Sequence, residues 1–205
     1  MSLKVIVISN ANDLDGEHSM VEAMLDNGMD FFHVRKPYFS RNDLRCYIER
    51  FQPHYLKKLV VHSYHTLALE MGLAGIHISN RHRKEPFKTW LRIRKMKFRK
   101  PGLKYTIAIH SIPEVKSRLI RYNYLILSPV FDSITKKNYK STFVNGDLKK
   151  MLERTKRNVY ALGGVDVDKI QMVKELGFKG VALMGAIWQN SDPVNKFIEI
   201  KNACS

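Results

Sequence analysis

Four of the chain's eight histidines occupy one kind of place. His33, His62, His77 and His110 each fall in or just after a short apolar, β-branched run, and each is followed within two residues by Arg35, Ser63, Ser79 or Ser111. Imidazole changes charge near neutral pH, so a rim of such groups suits proton transfer or anion binding. One histidine at a strand end is more often a packed or solvated side chain; four in succession ask for a shared task. His33, His62 and His110 are therefore the candidate acids and bases, and His77 a candidate substrate contact. Their spacing fits no sequence-local metal motif and carboxylates are scarce around them, so no metal ligands are assigned.

A second set of residues suits a phosphate. The segment 128–137 is dense in hydroxyls and cations, among them Ser133, Thr135 and Lys136. Gly163-Gly164 and Gly185 follow two later apolar runs, where glycine lets backbone N–H groups approach an anion closely. Each glycine alone would suffice for a tight turn. Three of them opposite Thr135 and Lys136 read as a phosphate cup, and Arg35 and Lys36 add positive charge on the other side.

The elements that must position these residues alternate regularly. Strand-like runs at 4–9, 30–35, 58–62, 75–79, 105–110, 124–129, 159–163 and 180–184 are separated by helical stretches at 19–27, 41–51, 66–71, 112–121, 147–156, 166–176 and 193–202. Ser40 is placed to cap one helix and Gly177 to end another. Eight βα units with short loops and no GxGxxG after the first strand point to an α/β fold of the closed (β/α)8 TIM-barrel type. In that fold, reactive groups gather where strands end, and the loops after strands seven and eight commonly hold phosphate.

The chain has 205 residues, 44% of them apolar, which suits one core and a single domain over 1–205. Two cysteines far apart suggest neither a disulfide framework nor a zinc motif. No apolar run approaches membrane-spanning length and no signal-like start is present, so a cytoplasmic setting is expected and no membrane partner. The net charge of +16 attracts phosphates of any kind. Much of it lies between Arg81 and Lys104, where Phe87, Trp90 and Phe98 fall at helical spacing and read as the buried side of a solvated helix, not as a nucleic-acid surface. A homo-oligomer is left open.

In order along nearly the whole chain, these segments resemble the thiamine phosphate synthase and TenI family. Phe32-His33-Val34-Arg35-Lys36 resembles its Gln-Leu-Arg-Glu-Lys segment, and Val60-Val61-His62-Ser63 its Ile-Asn-Asp segment. Gly75-Ile76-His77-Ile78 is similar to Gly-Val-His-Leu, and Ile109-His110-Ser111 with Glu114 to Ser-x-His-Ser and its following acid. The stretch from Ser128-Pro129-Val130-Phe131 to Thr135-Lys136-Lys137 resembles Gly-Pro-Val-Phe-x-Thr-x-Thr-Lys, and the closing segments around Gly163-Gly164 and Gly180-Val181-Ala182 resemble Ile-Gly-Gly and Gly-Val-Ala. The resemblance implies an enzyme of thiamine biosynthesis that joins hydroxymethylpyrimidine diphosphate to a thiazole phosphate, releasing diphosphate with the help of magnesium. It also implies that Arg35 contacts diphosphate, while Ser133, Thr135, Lys136, Gly163, Gly164 and Gly185 hold the thiazole phosphate.

Two departures bear on the reaction. The family's magnesium carboxylates correspond to Ser63 and to a position near His82, and the lysine of the first segment corresponds to Pro37, beside Lys36. Hydroxyl and imidazole are poor ligands for magnesium. This keeps a second expectation in view, a TenI-type thiazole tautomerase that moves a proton without diphosphate or magnesium. The histidine of that branch corresponds to Pro129, so a rim histidine, His110, His62 or His33, would take its place. A third expectation is a binder of phosphorylated metabolites without turnover.

Overall fold

The computed structural model describes residues 2–79, 82, 84–116, 121–131 and 145–205. In chain order these form β1 (Lys4–Ile8), α1 (Glu17–Asp26), β2 (Phe31–Val34), α2 (Arg41–Glu49), β3 (Leu59–Val61), α3 (Leu67–Glu70), β4 (Gly75–Ile78), α4 (Pro86–Arg99), β5 (Lys104–Ile109), α5 (Ile112–Lys116), β6 (Tyr124–Leu127), α6 (Asn145–Arg154), β7 (Val159–Leu162), α7 (Ile170–Leu176), β8 (Gly180–Leu183), α8 (Gly185–Trp188) and α9 (Pro193–Cys204). The strands close into a parallel barrel in sequence order, and β8 returns to β1 with Lys4 opposite Gly180 and Val7 opposite Leu183. This is the (β/α)8 architecture expected from the alternation of elements.

Both faces of a closed parallel sheet are covered, which explains why its strands read as nearly unbroken apolar runs. The two faces still differ. Val5, Val7, Phe32, Val34, Leu125 and Leu127 join the large core between sheet and helices. Ile6, Ile8, Tyr124, Ile126, Tyr160 and Ala182 form a separate cluster inside the barrel. Strand side chains alternate, so the interior parity continues through His33, His62, His77 and His110 on β2 to β5 or directly after them.

The helix ends follow local chemistry. Ser40 and Asp43 form a reciprocal capping box at α2, and Gly177, at φ 94°, stops α7 in a left-handed turn. The expected helix over 166–176 opens instead with a 3-10 turn at Val167–Lys169, where the Asp166 carboxylate accepts the Val167 N–H. At the close of the chain, α9 buries Phe197, Ile200 and Cys204.

The basic helix α4 corrects one expectation. Its buried residues are Thr89, Ile93 and Met96, whereas Phe87, Trp90 and Phe98 are 71%, 38% and 89% exposed. Pro86 starts the helix, and from that phase positions 89, 93 and 96 form one narrow stripe while the aromatics point roughly the other way. Aromatic spacing alone did not fix which stripe the barrel covers. No helix among the described residues is long and apolar enough to cross a membrane.

Truncating Ile93→Ala should cost about 2–5 kcal/mol, and Phe98→Ser should stay within about 0.5 kcal/mol, both read from urea denaturation. The reverse order would mean that the aromatic stripe is the covered one.

Candidate active site at the barrel mouth

Three of the four expected histidines meet. His33 Nδ1 and His62 Nε2 lie 2.9 Å apart, the His62 and His77 rings stack with centroids 4.1 Å apart, and His33 and His77 meet edge to face at 5.6 Å. Consecutive strands β2, β3 and β4 bring them together, since each presents its inward position at the same end of the barrel. Beneath them, the Tyr124 hydroxyl is 2.6 Å from His33 Nε2, and Tyr124 stacks on Tyr160. His77 Nδ1 is held by Thr106 Oγ1 at 2.8 Å.

Burial keeps these imidazoles neutral. Loss of hydration moves His33 down to about 3 and holds His62 and His77 well below the usual histidine range, with neighbouring histidines and Arg35 adding to the effect on the latter two. Burial raises the Tyr124 phenol well above its ordinary range, so it keeps its proton. His33 and His77 are closed off from solvent, while His62 is half-buried and reaches the mouth.

That mouth is a cavity of about 630 Å³ whose lining includes His62, Ser63, Ser79, His82, Lys84 and Arg92. Its one lining carboxylate among the described residues, Glu85, is exposed and ion-paired with Lys88 at 3.2 Å. Lys84 and Arg92 therefore give the wall a positive balance. Arg35 is exposed on the same side, and its backbone is fixed by Ser9, whose hydroxyl accepts the Arg35 N–H at 2.8 Å and lies 3.0 Å from its carbonyl.

Across the mouth stand the glycines. Gly163 and Gly164 adopt φ of 96° and 63°, and a Cβ on Gly163 would lie 3.0 Å from Pro129. The chain after β6 is strapped over them by Val130 N–H to Leu162 and Phe131 N–H to Gly163. Gly185 opens the short α8, held over β1 by the Trp188 indole N–H donating to the Ile8 carbonyl at 2.6 Å. Ser133, Thr135 and Lys136 lie outside the described residues.

The structure separates the remaining candidates. His110 is exposed at the end of β5 with Nδ1 2.9 Å from the Ser128 carbonyl, apart from the triple cluster. Lys36 corrects the expectation of a phosphate contact. Its ammonium has no solvent exposure, pairs with Glu17 at 2.5 Å, donates to the Asn12 carbonyl and lies over the Tyr47 ring. Burying a cation requires such partners, and they leave it no free face for a ligand. The sequence pattern did not single out Ser9, Thr106 or Tyr124, of which only Thr106 and Tyr124 share the inward parity, and it left Arg92 in a run read as a solvated face.

Residues 5–187 match the family described as thiamine monophosphate synthase. The chain belongs to that family. A thiamine-phosphate synthase of Vibrio campbellii is 25% identical over 92% of this chain and 91% of its own. One of Fusobacterium nucleatum is 31% identical over 38% of this chain, a match spanning only 37% of that relative. The thiamine phosphate pyrophosphorylase structure from Bacteroides thetaiotaomicron superposes with a TM-score of 0.80 at 24% identity, covering 98% of this chain and 97% of that one, and shows the same barrel.

The family's magnesium requires hard oxygen ligands. The resemblance puts the family's carboxylates at Ser63 and near His82, and both residues line the cavity beside Lys84 and Arg92. The described residues of the cavity do not fit magnesium.

Replacing Lys36 by Ala leaves the Glu17 carboxylate buried without its cation and should destabilise the fold by about 3–5 kcal/mol in denaturant titration. Unchanged stability with weaker phosphate binding would return Lys36 to the substrate.

Proposed function

We propose that this chain is a transferase of thiamine biosynthesis that joins hydroxymethylpyrimidine diphosphate to thiazole phosphate. The observation that carries the reading is the presence of two anion-receptive places at one end of the barrel: the cationic wall of Lys84 and Arg92, with Arg35 exposed after β2, and the glycine turns at Gly163, Gly164 and Gly185. A coupling of two phosphorylated substrates needs both, and a tautomerase acting on thiazole phosphate alone needs one. Family membership supports the same reading.

In this arrangement the thiazole phosphate rests on the β7 and β8 turns, with Ser133, Thr135 and Lys136 as further contacts. The pyrimidine diphosphate lies toward β2 to β4, with His62 beside its ring and His77 stacked behind His62. A bond forms between the thiazole nitrogen and the pyrimidine methylene carbon while the bond from that carbon to the diphosphate oxygen breaks. The diphosphate leaves with the electron pair, and Arg35, Lys84 and Arg92 compensate the charge that develops on it. Among the described residues the wall holds no carboxylate cage for magnesium, and the charge is met by these cations. The setting is cytoplasmic in this reading, in keeping with the free thiols of Cys46 and Cys204, and the partners are these two small molecules.

One observation favours a second reading. His110 is exposed near the β6 loop, and its Nδ1 contact with the Ser128 carbonyl leaves Nε2 as an acceptor. That histidine suits proton transfer on a bound thiazole carboxylate phosphate, the tautomerase reaction.

Thiamine phosphate formation should be detectable without added magnesium. Removing Arg92 with Ala should lower kcat/KM for the pyrimidine diphosphate by about 10–100-fold, the worth of a hydrogen bond to a charged group. Gly163→Ala should instead weaken the thiazole phosphate, because its side chain would need a left-handed backbone and collide with Pro129. No coupling but rapid tautomer conversion would select the second reading. Silence in both assays, with thiazole phosphate still bound, would leave a binder.

A further inference from the structure

The three clustered histidines carry more than a pyrimidine contact requires. One ring nitrogen from each of His33, His62 and His77 lies within 4.8 Å of the other two. His33 Nδ1 and His62 Nε2 lie 2.9 Å apart. For His77, Thr106 occupies Nδ1 and leaves Nε2. Neutral imidazoles are the form that binds metal, and burial holds all three in it.

We infer that His33, His62 and His77 form a binding site for a divalent first-row transition ion, zinc being the reference case, with a fourth position open to the cavity. Zinc takes imidazole nitrogens at about 2.0–2.1 Å, which in a tetrahedral set places them about 3.3 Å from one another. The His33–His62 pair needs to open by a few tenths of an ångström from its hydrogen-bonded distance, and the widest separation to close by about 1.5 Å to reach that value. The His62 and His77 rings stack with centroids 4.1 Å apart, so His62, half-buried at the cavity wall and the least enclosed of the three, has to turn out of that stack to aim its nitrogen at a shared ion.

The outer contacts suit a metal as well. A ligating imidazole normally has its other nitrogen fixed by a hydrogen bond. His77 has this from Thr106 and His33 from Tyr124. With His33 in its Nδ1–H tautomer, the metal-free cluster has the Tyr124 hydroxyl donating to His33 Nε2 and His33 Nδ1–H donating to His62 Nε2. On binding, the ion takes the place of that shared proton, His33 changes to its Nε2–H tautomer, and Tyr124 becomes the acceptor. Donor softness selects the ion: three imidazoles suit zinc, cobalt, nickel or copper, and offer magnesium nothing.

Nearby Arg35 opposes a bare cation, and an anion at the fourth position offsets it. His62 lines the cavity together with Ser63 and the cationic wall, which is where an anion would reach that position. On the transferase reading, and resting on it, the open position is a Lewis-acid contact for the leaving diphosphate; the site itself does not depend on that reaction. His62 stands where the resembling family segment has asparagine, one residue from the serine that stands for its aspartate.

The test uses the intact protein, stripped with chelator and titrated with zinc chloride calorimetrically, then loaded with cobalt(II). The result expected is about one zinc per chain and the visible absorption of four-coordinate cobalt. His62→Asn and His77→Gln should each lower zinc affinity by about 100-fold or more, while the surface substitution His54→Asn leaves it unchanged. Absence of zinc uptake, uptake that survives both ligand substitutions, or a six-coordinate cobalt spectrum would overturn the site. The cobalt spectrum of the unsubstituted protein decides the matter even where a variant fails to fold. A chain that binds zinc but couples nothing would sink only the reaction, and one that couples but binds no zinc only the site.

Discussion

Closing eight parallel strands on themselves divides each strand between residues that face the helices and residues that face one shared interior, and the site depends on that division. The interior is small and closed at its floor by Tyr124, Ile126, Tyr160 and Ala182. A polar group placed at an inward position there cannot reach water and must be satisfied by another inward group. His33 meets this condition through His62 and Tyr124, and His77 through Thr106. The contacts that answer the burial requirement are the same ones that set tautomers and hold the rings in place.

Period-two alternation made much of this legible. The apolar runs located all eight strands, and counting in twos from their buried residues puts His33, His62, His77 and His110 on one parity. What the pattern did not contain is distance around the barrel. His33 and Tyr124 are 91 residues apart and touch. Three of the four histidines converge because β2, β3 and β4 are neighbours, whereas His110, directly after β5, turns to the carbonyl of Ser128, directly after β6. Helix α4 shows the complementary limit: its sequence holds two apolar stripes, and only the barrel decides that Ile93 rather than Phe98 is covered.

Charge was legible as a total and not as a set of addresses. Lys36 and Arg35 are adjacent, and both read as anion contacts. One residue of parity sends Lys36 outward beneath α1, to a buried pair with Glu17, and leaves Arg35 at the rim. In the same way Arg92, one cation among many on α4, faces the cavity while its neighbours face solvent. A basic run is an average over faces, and each face has its own partner.

The near absence of carboxylates from the described cavity lining is consistent with the same geometry. A magnesium cage needs several acidic oxygens in one wall, and a wall that holds Lys84 and Arg92 already answers an anion's charge without them. Acidic side chains there would neutralise the cations before a substrate arrived. Imidazoles do not, because burial keeps them uncharged. Neutral ligands beneath a cationic wall leave the mouth's positive field available to an anion, and this makes a histidine cluster compatible with an anion site where a carboxylate cluster would compete with it.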